Sequence, residues 1–195
     1  MSTNLVCGGS FLDNQDYNMH SSDKCFSLNQ SGTSLFTMTF EKRSYAASIV
    51  YNNTIWITGG FDSDVKPYVS TLKSTEYILK SGESVMGPDL PTKLFAHEMV
   101  KINQTHTLII GGSIESEPDT YTDKTWYFNH ENQNFIDGPR LRQARGYFAA
   151  GLILDSVTNE EIILVTGGQG YDNEGYYIDL DSTEILRDGI WEQGK

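Results

Sequence analysis

The sequence predicts an all-β protein assembled from repeated four-stranded antiparallel units. Three observations carry that expectation. Double glycines close short apolar or β-branched runs at Gly8-Gly9, Gly59-Gly60, Gly111-Gly112 and Gly167-Gly168, and their first glycines are 51, 52 and 56 residues apart. Each unit holds four short runs rich in β-branched and aromatic residues, separated by turn residues. No long apolar stretch with helical periodicity interrupts the pattern.

The elements of one unit follow in order. A first β run covers residues 45–51, 95–102 or 147–154, and a polar turn such as Asn52-Asn53 or Asn103-Gln104 leads into a second run that ends on the glycines. This is the pattern of a hairpin. A polar loop of about a dozen residues then leads to a third run, at 24–28, 74–78, 124–128 and 182–186. The fourth run carries an apolar or aromatic residue shortly before glycine, as in Val85-Met86-Gly87-Pro88, Phe135-Ile136-Asp137-Gly138-Pro139 and Trp191-Glu192-Gln193-Gly194. Four strands at a fifty-residue period describe a β-propeller blade. Inner strands packed on both faces call for apolar and β-branched residues. The expected units are 1–40, 41–90, 91–140 and 141–195, within a single propeller domain spanning 1–195.

The double glycines, Tyr127 in the third run, and Trp191 or Phe135 in the fourth resemble the Kelch repeat family, over nearly the whole chain. A basic residue also recurs shortly before the first run, at Arg43, Lys93 and Arg145. The resemblance implies a propeller and a protein-interaction role, as a substrate adaptor, cytoskeletal binder or adhesion module. A fragment of a galactose-oxidase-like propeller enzyme and an extracellular carbohydrate-binding module are the alternatives. Family members form closed rings of more blades. The chain begins within a second run and ends near a fourth, so the expectation is an incomplete ring of just under four blades, a piece of a longer protein. Its terminal sheets would then expose apolar residues, with Ile162, Leu164 and Ile185 on one side and Leu5, Phe26 and Leu28 on the other, and favour association.

Composition bounds the function. A net charge of −12 and 26 acidic against 14 basic residues disfavour nucleic acid and anionic membrane surfaces. No segment has the length and apolarity of a transmembrane helix, and the first residues do not read as a signal peptide. The four histidines, at 20, 97, 106 and 130, have no zinc-ligand spacing. No G-x-S-x-G occurs, and Gly168-Gln169-Gly170 is followed by neither the third glycine nor the helix of a dinucleotide fingerprint. The expectation is a non-enzyme with no metal or cofactor.

The loops between second and third runs carry the candidate binding residues. They are Phe11, Asp13 and Asp16; Phe61, Asp62, Asp64 and Tyr68; Glu115, Glu117 and Tyr121; and Tyr171 and Asp172. In a propeller these loops emerge on one face, so the expectation is an acidic rim with aromatic anchors, suited to a protein partner. The two cysteines, Cys7 and Cys25, align with Thr58/Thr75 and Thr166/Thr183 in other units. Those columns are cross-strand neighbours on strands two and three, which places the cysteines within reach of a disulfide. A bridge would imply an extracellular location, and reduced thiols a cytoplasmic one.

Overall fold

The computed structural model describes residues 4–13, 18–29, 32–64, 70–116, 119–156 and 158–194. It divides into two compact units, Met1–Phe95 and Ala96–Lys195. All regular structure among the described residues is β.

In the first unit the strands are β1 (Asn4–Cys7), β2 (Ser10–Leu12), β3 (Met19–Asn29), β4 (Gly32–Arg43), β5 (Ala47–Tyr51), β6 (Thr54–Thr58), β7 (Phe61–Asp62), β8 (Ser70–Thr71), β9 (Thr75–Ile78) and β10 (Ser84–Met86). β3 pairs with β1 on one side and β4 on the other, and its first residues pair with β2. The next sheet has the order β10-β9-β6-β5, with β7 and β8 forming a separate small hairpin. In the second unit the strands are β11 (Glu98–Lys101), β12 (His106–Ile110), β13 (Ser113–Ser116), β14 (Asp119–Tyr121), β15 (Thr125–Asn129), β16 (Asn134–Asp137), β17 (Ala149–Leu154), β18 (Glu161–Thr166), β19 (Gln169–Tyr171), β20 (Tyr177–Asp179), β21 (Thr183–Arg187) and β22 (Ile190–Gln193). They form two four-stranded sheets, β11-β12-β15-β16 and β17-β18-β21-β22, and two small hairpins, β13-β14 and β19-β20. All pairings are antiparallel.

Three of the sheets, β10-β9-β6-β5, β11-β12-β15-β16 and β17-β18-β21-β22, are therefore the meander read from the sequence, and the first sheet pairs β3 with β1 and β4 as the second to fourth strands of its unit. The loops between second and third strands are the exception, since each folds back on itself as a short hairpin. Local pairing satisfies backbone groups that an irregular polar loop would leave to water.

Local chemistry accounts for the turns. Asn52 and Asn53 both take positive φ between β5 and β6, and Asp188 and Gly189 do the same between β21 and β22, the conformation of a two-residue turn matched to strand twist. The double glycines lie in the same region and approach carbonyls closely. A β-carbon on Gly60 would lie 2.8 Å from the Ser44 oxygen, and one on Gly168 would lie 2.6 Å from the Gly146 oxygen, the matching position. Only glycine fits both the space and the φ of +91° and +95°.

The central strands are buried on both faces, as β12 and β15 show, while the outer β16 is mostly exposed. In the second unit Leu108, Ile110, Phe148, Ile163, Val165 and Trp191 share one core cluster. In the first, Cys25, Ile57 and Ile78 form a smaller one flanked by Cys7 and Phe36. Ile162, expected on an open face, is instead buried at 4% exposure, on the face opposite Ile163 and Val165 of the core cluster; Leu164 and Ile185 are half-buried. Leu152, Ile153, Leu154 and Ile190 are the exposed apolar residues of that sheet, and Val6, Phe11, Met19, Phe26, Leu35 and Phe40 are exposed on the first. The side chains of Leu5 and Leu28 lie outside the described residues.

Gly168→Ala should destabilise the protein by about 1–3 kcal/mol, the cost of a strained non-glycine φ together with the carbonyl contact. Gly151→Ala meets nothing within 4 Å and needs no positive φ, so its urea midpoint should stay close to that of the parent. Equal midpoints for the two variants would contradict this account of the double glycine.

Candidate functional site

The most heavily built polar feature occurs twice. Arg43 and Arg145 are 1% and 0% exposed and precede β5 and β17 at matching positions. Arg43 donates from Nη1 to the Gly59 and Ser74 carbonyls at 2.7 and 3.1 Å and from Nη2 to Glu76 Oε1 at 2.7 Å. Arg145 repeats this on the Gly167 and Ser182 carbonyls at 2.8 and 3.1 Å and on Glu184 Oε1 at 2.9 Å. The glutamates in turn accept backbone N–H groups from the segments before the arginines. Glu76 takes those of Phe40 and Glu41, and Glu184 takes those of Arg142 and Gln143. Each charge is thus paired and further hydrogen-bonded, as burial requires.

The sequence places Lys93 in this series, and the structure corrects it. Ala96 shares its positive φ with Tyr45 and Tyr147, which aligns Leu94 with the arginines. Lys93 is exposed, Leu94 is buried, and the glutamate position is taken by buried Trp126. One repeat therefore carries buried apolar residues at the two sequence positions where two others carry an ion pair.

The expected loop residues have separate fates. Asp64 contacts Lys42 and His20. Burial works against its charged form, yet these two contacts outweigh it and hold the carboxyl below the ordinary range. The Lys42 ammonium is raised chiefly by its hydrogen bond to Asp64. Asp62 accepts the Asp64 N–H at 2.9 Å, and Phe61 packs against Tyr45 and edge-on against Phe95. Phe11 is exposed and lies beside His20, and Asp13 donates its N–H to the Asn18 carbonyl. Asp16, Tyr68 and Glu117 lie outside the described residues, as does the side chain of Glu115 on β13.

The β19-β20 hairpin concentrates aromatic surface. Tyr171 and Tyr177 are cross-strand partners, with ring centroids 6.3 Å apart, and both rings also meet Tyr121. Tyr121 is 8% exposed and acts as the floor of the cluster, not as an outward anchor. Tyr176, at 66% exposure, stands at the turn. Asp172 builds that turn: its Oδ1 accepts the N–H groups of Glu174 and Tyr176 at 2.9 and 2.8 Å. Sequence reading assigned Tyr171 and Asp172 to a contact surface but passed over Tyr176 and Tyr177. The Gly-Tyr-Tyr run after a turn-forming Asp was the available signal.

A cavity of about 720 Å³ opens beside this hairpin, lined by Arg142, Gln143, Tyr171, Asn173 and Ser182 among others, with the Arg145–Glu184 pair at its wall. Among the described residues no group of three or more His, Cys, Asp and Glu side chains is placed to hold a metal. Cys7 and Cys25 are opposed in the β1–β3 register and joined by a disulfide. Thr58 and Thr75, and Thr166 and Thr183, are opposed in the same way.

No family model and no curated protein matches the sequence. Solved structures do resemble the chain. The structure of YjhT superposes on it with a TM-score of 0.81 at 11% identity, covering 99% of this chain and 67% of that one. At that identity the likeness carries the fold alone, and this chain has a β-propeller-type fold.

Two tests address the buried charges. Arg145→Leu strands the Glu184 carboxylate and should cost about 3–5 kcal/mol. Adding Glu184→Trp, after the Leu94/Trp126 repeat, should recover part of that loss. A double variant no more stable than the single one would refute the equivalence. His97 is buried, and burial pushes its pKa down to about 3 from an ordinary value of 6.5. The unfolded chain therefore binds the extra proton between these values. Stability is full above pH 6.5 and falls by about 2 kcal/mol by pH 5 through this group. Urea midpoints of His97→Phe should depend less steeply on pH across that window.

Proposed function

We propose that the chain is a Kelch-type propeller segment that works as a binding module for a protein partner and performs no catalysis. The exposed tyrosines of the β19-β20 hairpin carry this reading. Tyr171, Tyr176 and Tyr177 are 37%, 66% and 52% exposed on one short element. Aromatics of this kind offer large contact area with few rotatable bonds, the usual makeup of interface anchors. The hairpin is also pre-organised. Its turn is closed by Asp172, and the Tyr121 ring supports it from below. Rigid presentation lowers the entropy lost on association.

The acidic loop residues take a secondary part in this reading. Asp64 and Asp172 are already committed to local partners, so the negative surface steers a basic partner more than it anchors one. An extracellular setting, where the Cys7–Cys25 bridge persists, fits the same reading.

The test compares retained proteins. Wild-type protein and a Tyr176→Ser/Tyr177→Ser variant, both with the disulfide intact, are immobilised and exposed to the same extracellular extract. Specific partners should be retained at least tenfold less by the variant. A partner set indifferent to both substitutions would exclude the hairpin as the recognition element.

A further inference from the structure

We infer that the cavity beside Arg145 is a binding site for a carboxylate, supplied by a free small acid or by an acidic side chain. The argument rests on comparing the two Arg–Glu repeats residue by residue and is independent of the tyrosine hairpin's role.

At Arg43 the guanidinium meets two carboxylates. Glu76 is one. Glu41 is the second: its Oε2 accepts from Arg43 Nη2 at 2.9 Å and from the Ser74 hydroxyl. Ser74 Oγ also accepts from Arg43 Nη2 at 3.0 Å, so serine, arginine and glutamate close a small ring of hydrogen bonds. Arg43 Nε donates to Glu76 as well.

At Arg145 the same framework lacks the second acid. Ser182 occupies the Ser74 position, and its Oγ accepts from Arg145 Nη2 at 3.1 Å. The position of Glu41 belongs to Gln143. Its backbone N–H still reaches Glu184, but its side-chain amide turns to the Tyr171 carbonyl at 3.5 Å. The position of Phe40 belongs to Arg142, a further cation. Among the described residues Arg145 Nε has no acceptor, whereas its counterpart Arg43 Nε is satisfied by Glu76 and not by Glu41. This site therefore has one carboxylate fewer and one guanidinium more than its counterpart, and the cavity opens at it, lined by Arg142, Gln143 and Ser182.

A ligand carboxylate at the place held by Glu41 in the other repeat would accept the Ser182 hydroxyl proton, with Arg142 lining the same cavity and the fully buried Arg145 guanidinium behind Ser182. That supplies the acceptor that the Ser74 hydroxyl finds in Glu41. The volume of about 720 Å³ leaves room for the body of the ligand along Tyr171 and Asn173. The lining balances Arg142 and Arg145 against Asp172 and Glu184, and Asp172 Oδ1 is already engaged by the N–H groups of Glu174 and Tyr176.

The decisive variant is Gln143→Glu, which supplies the missing acid from the chain itself. Saturation-transfer NMR at constant ionic strength would use acetate, glycolate and benzoate as free acids. A blocked Gly-Glu-Gly peptide would present the acidic side chain, and its Gly-Gln-Gly counterpart would be the control. The wild type should bind the carboxylates and ignore the glutamine peptide. Gln143→Glu should lose binding at least tenfold and melt at a higher temperature, and Ser182→Ala should also weaken binding. Gln143→Ala should retain it. Peptide binding without free-acid binding would assign the carboxylate to a partner side chain, and free-acid binding alone would assign it to a small ligand. The inference is overturned if no carboxylate of either kind binds the wild type, or if binding survives unchanged in both Gln143→Glu and Ser182→Ala.

Discussion

Two buried arginines hold together segments that are far apart in the chain. Each guanidinium reaches the first carbonyl of its unit's double glycine, the carbonyl before the third strand, and a glutamate on that strand. The glutamate in turn binds the N–H groups two and three residues before the arginine. The arginine's own carbonyl receives the second glycine of the preceding sheet, Gly9 on Arg43 and Gly112 on Arg145. One residue thus joins the connection between sheets, the end of the second strand and the start of the third. The glycines are required because carbonyls crowd that junction, and the buried charges persist because every one of them has partners.

The repeats show how far this junction tolerates change. Where Leu94 and Trp126 replace the ion pair, the backbone link is kept: Gly60 still donates to the Leu94 carbonyl at 2.8 Å. A buried ion pair and apolar residues of similar volume are near equals in stability, whereas removing one charge of the pair is costly. The columns of Cys7 and Cys25 behave in the same way. Opposed threonines fill them in two sheets and a disulfide fills them in one, because directly opposed positions on paired strands accept any pair that fits the short gap.

Variation in this frame also creates the surfaces proposed for binding. Replacing Glu41 by Gln143 leaves a guanidinium less compensated beside a cavity. Folding the second-to-third-strand loops into hairpins lifts Tyr176 and Tyr177 outward over a buried Tyr121. Neither change disturbs the sheets, since the central strands draw their stability from residues buried on both faces. Scaffold and recognition are in this sense separable.

The sequence by itself determined the strands of the main sheets, their order and their turns, but not the small hairpins inside the loops. Gly-Gly at a near-constant interval, Asn-Asn between β5 and β6, and Gly-Pro after the fourth strand are local signals, and local steric rules are enough to read them. The Cys7–Cys25 pairing was legible for the same reason, because antiparallel register follows from the repeat. The Arg–Glu network was not. Arg43 and Glu76 are 33 residues apart, and the recurring basic residue includes Lys93, one position from the true column, with nothing local to name its partner. The roles of Tyr121, Asp172 and Asp64 were also decided only in three dimensions. Hairpins inside the loops determine which ring is floor and which is exposed, and whether a carboxylate faces solvent or its own backbone. Burial and pairing of charge depend on neighbours that the chain brings together only after the sheets have formed.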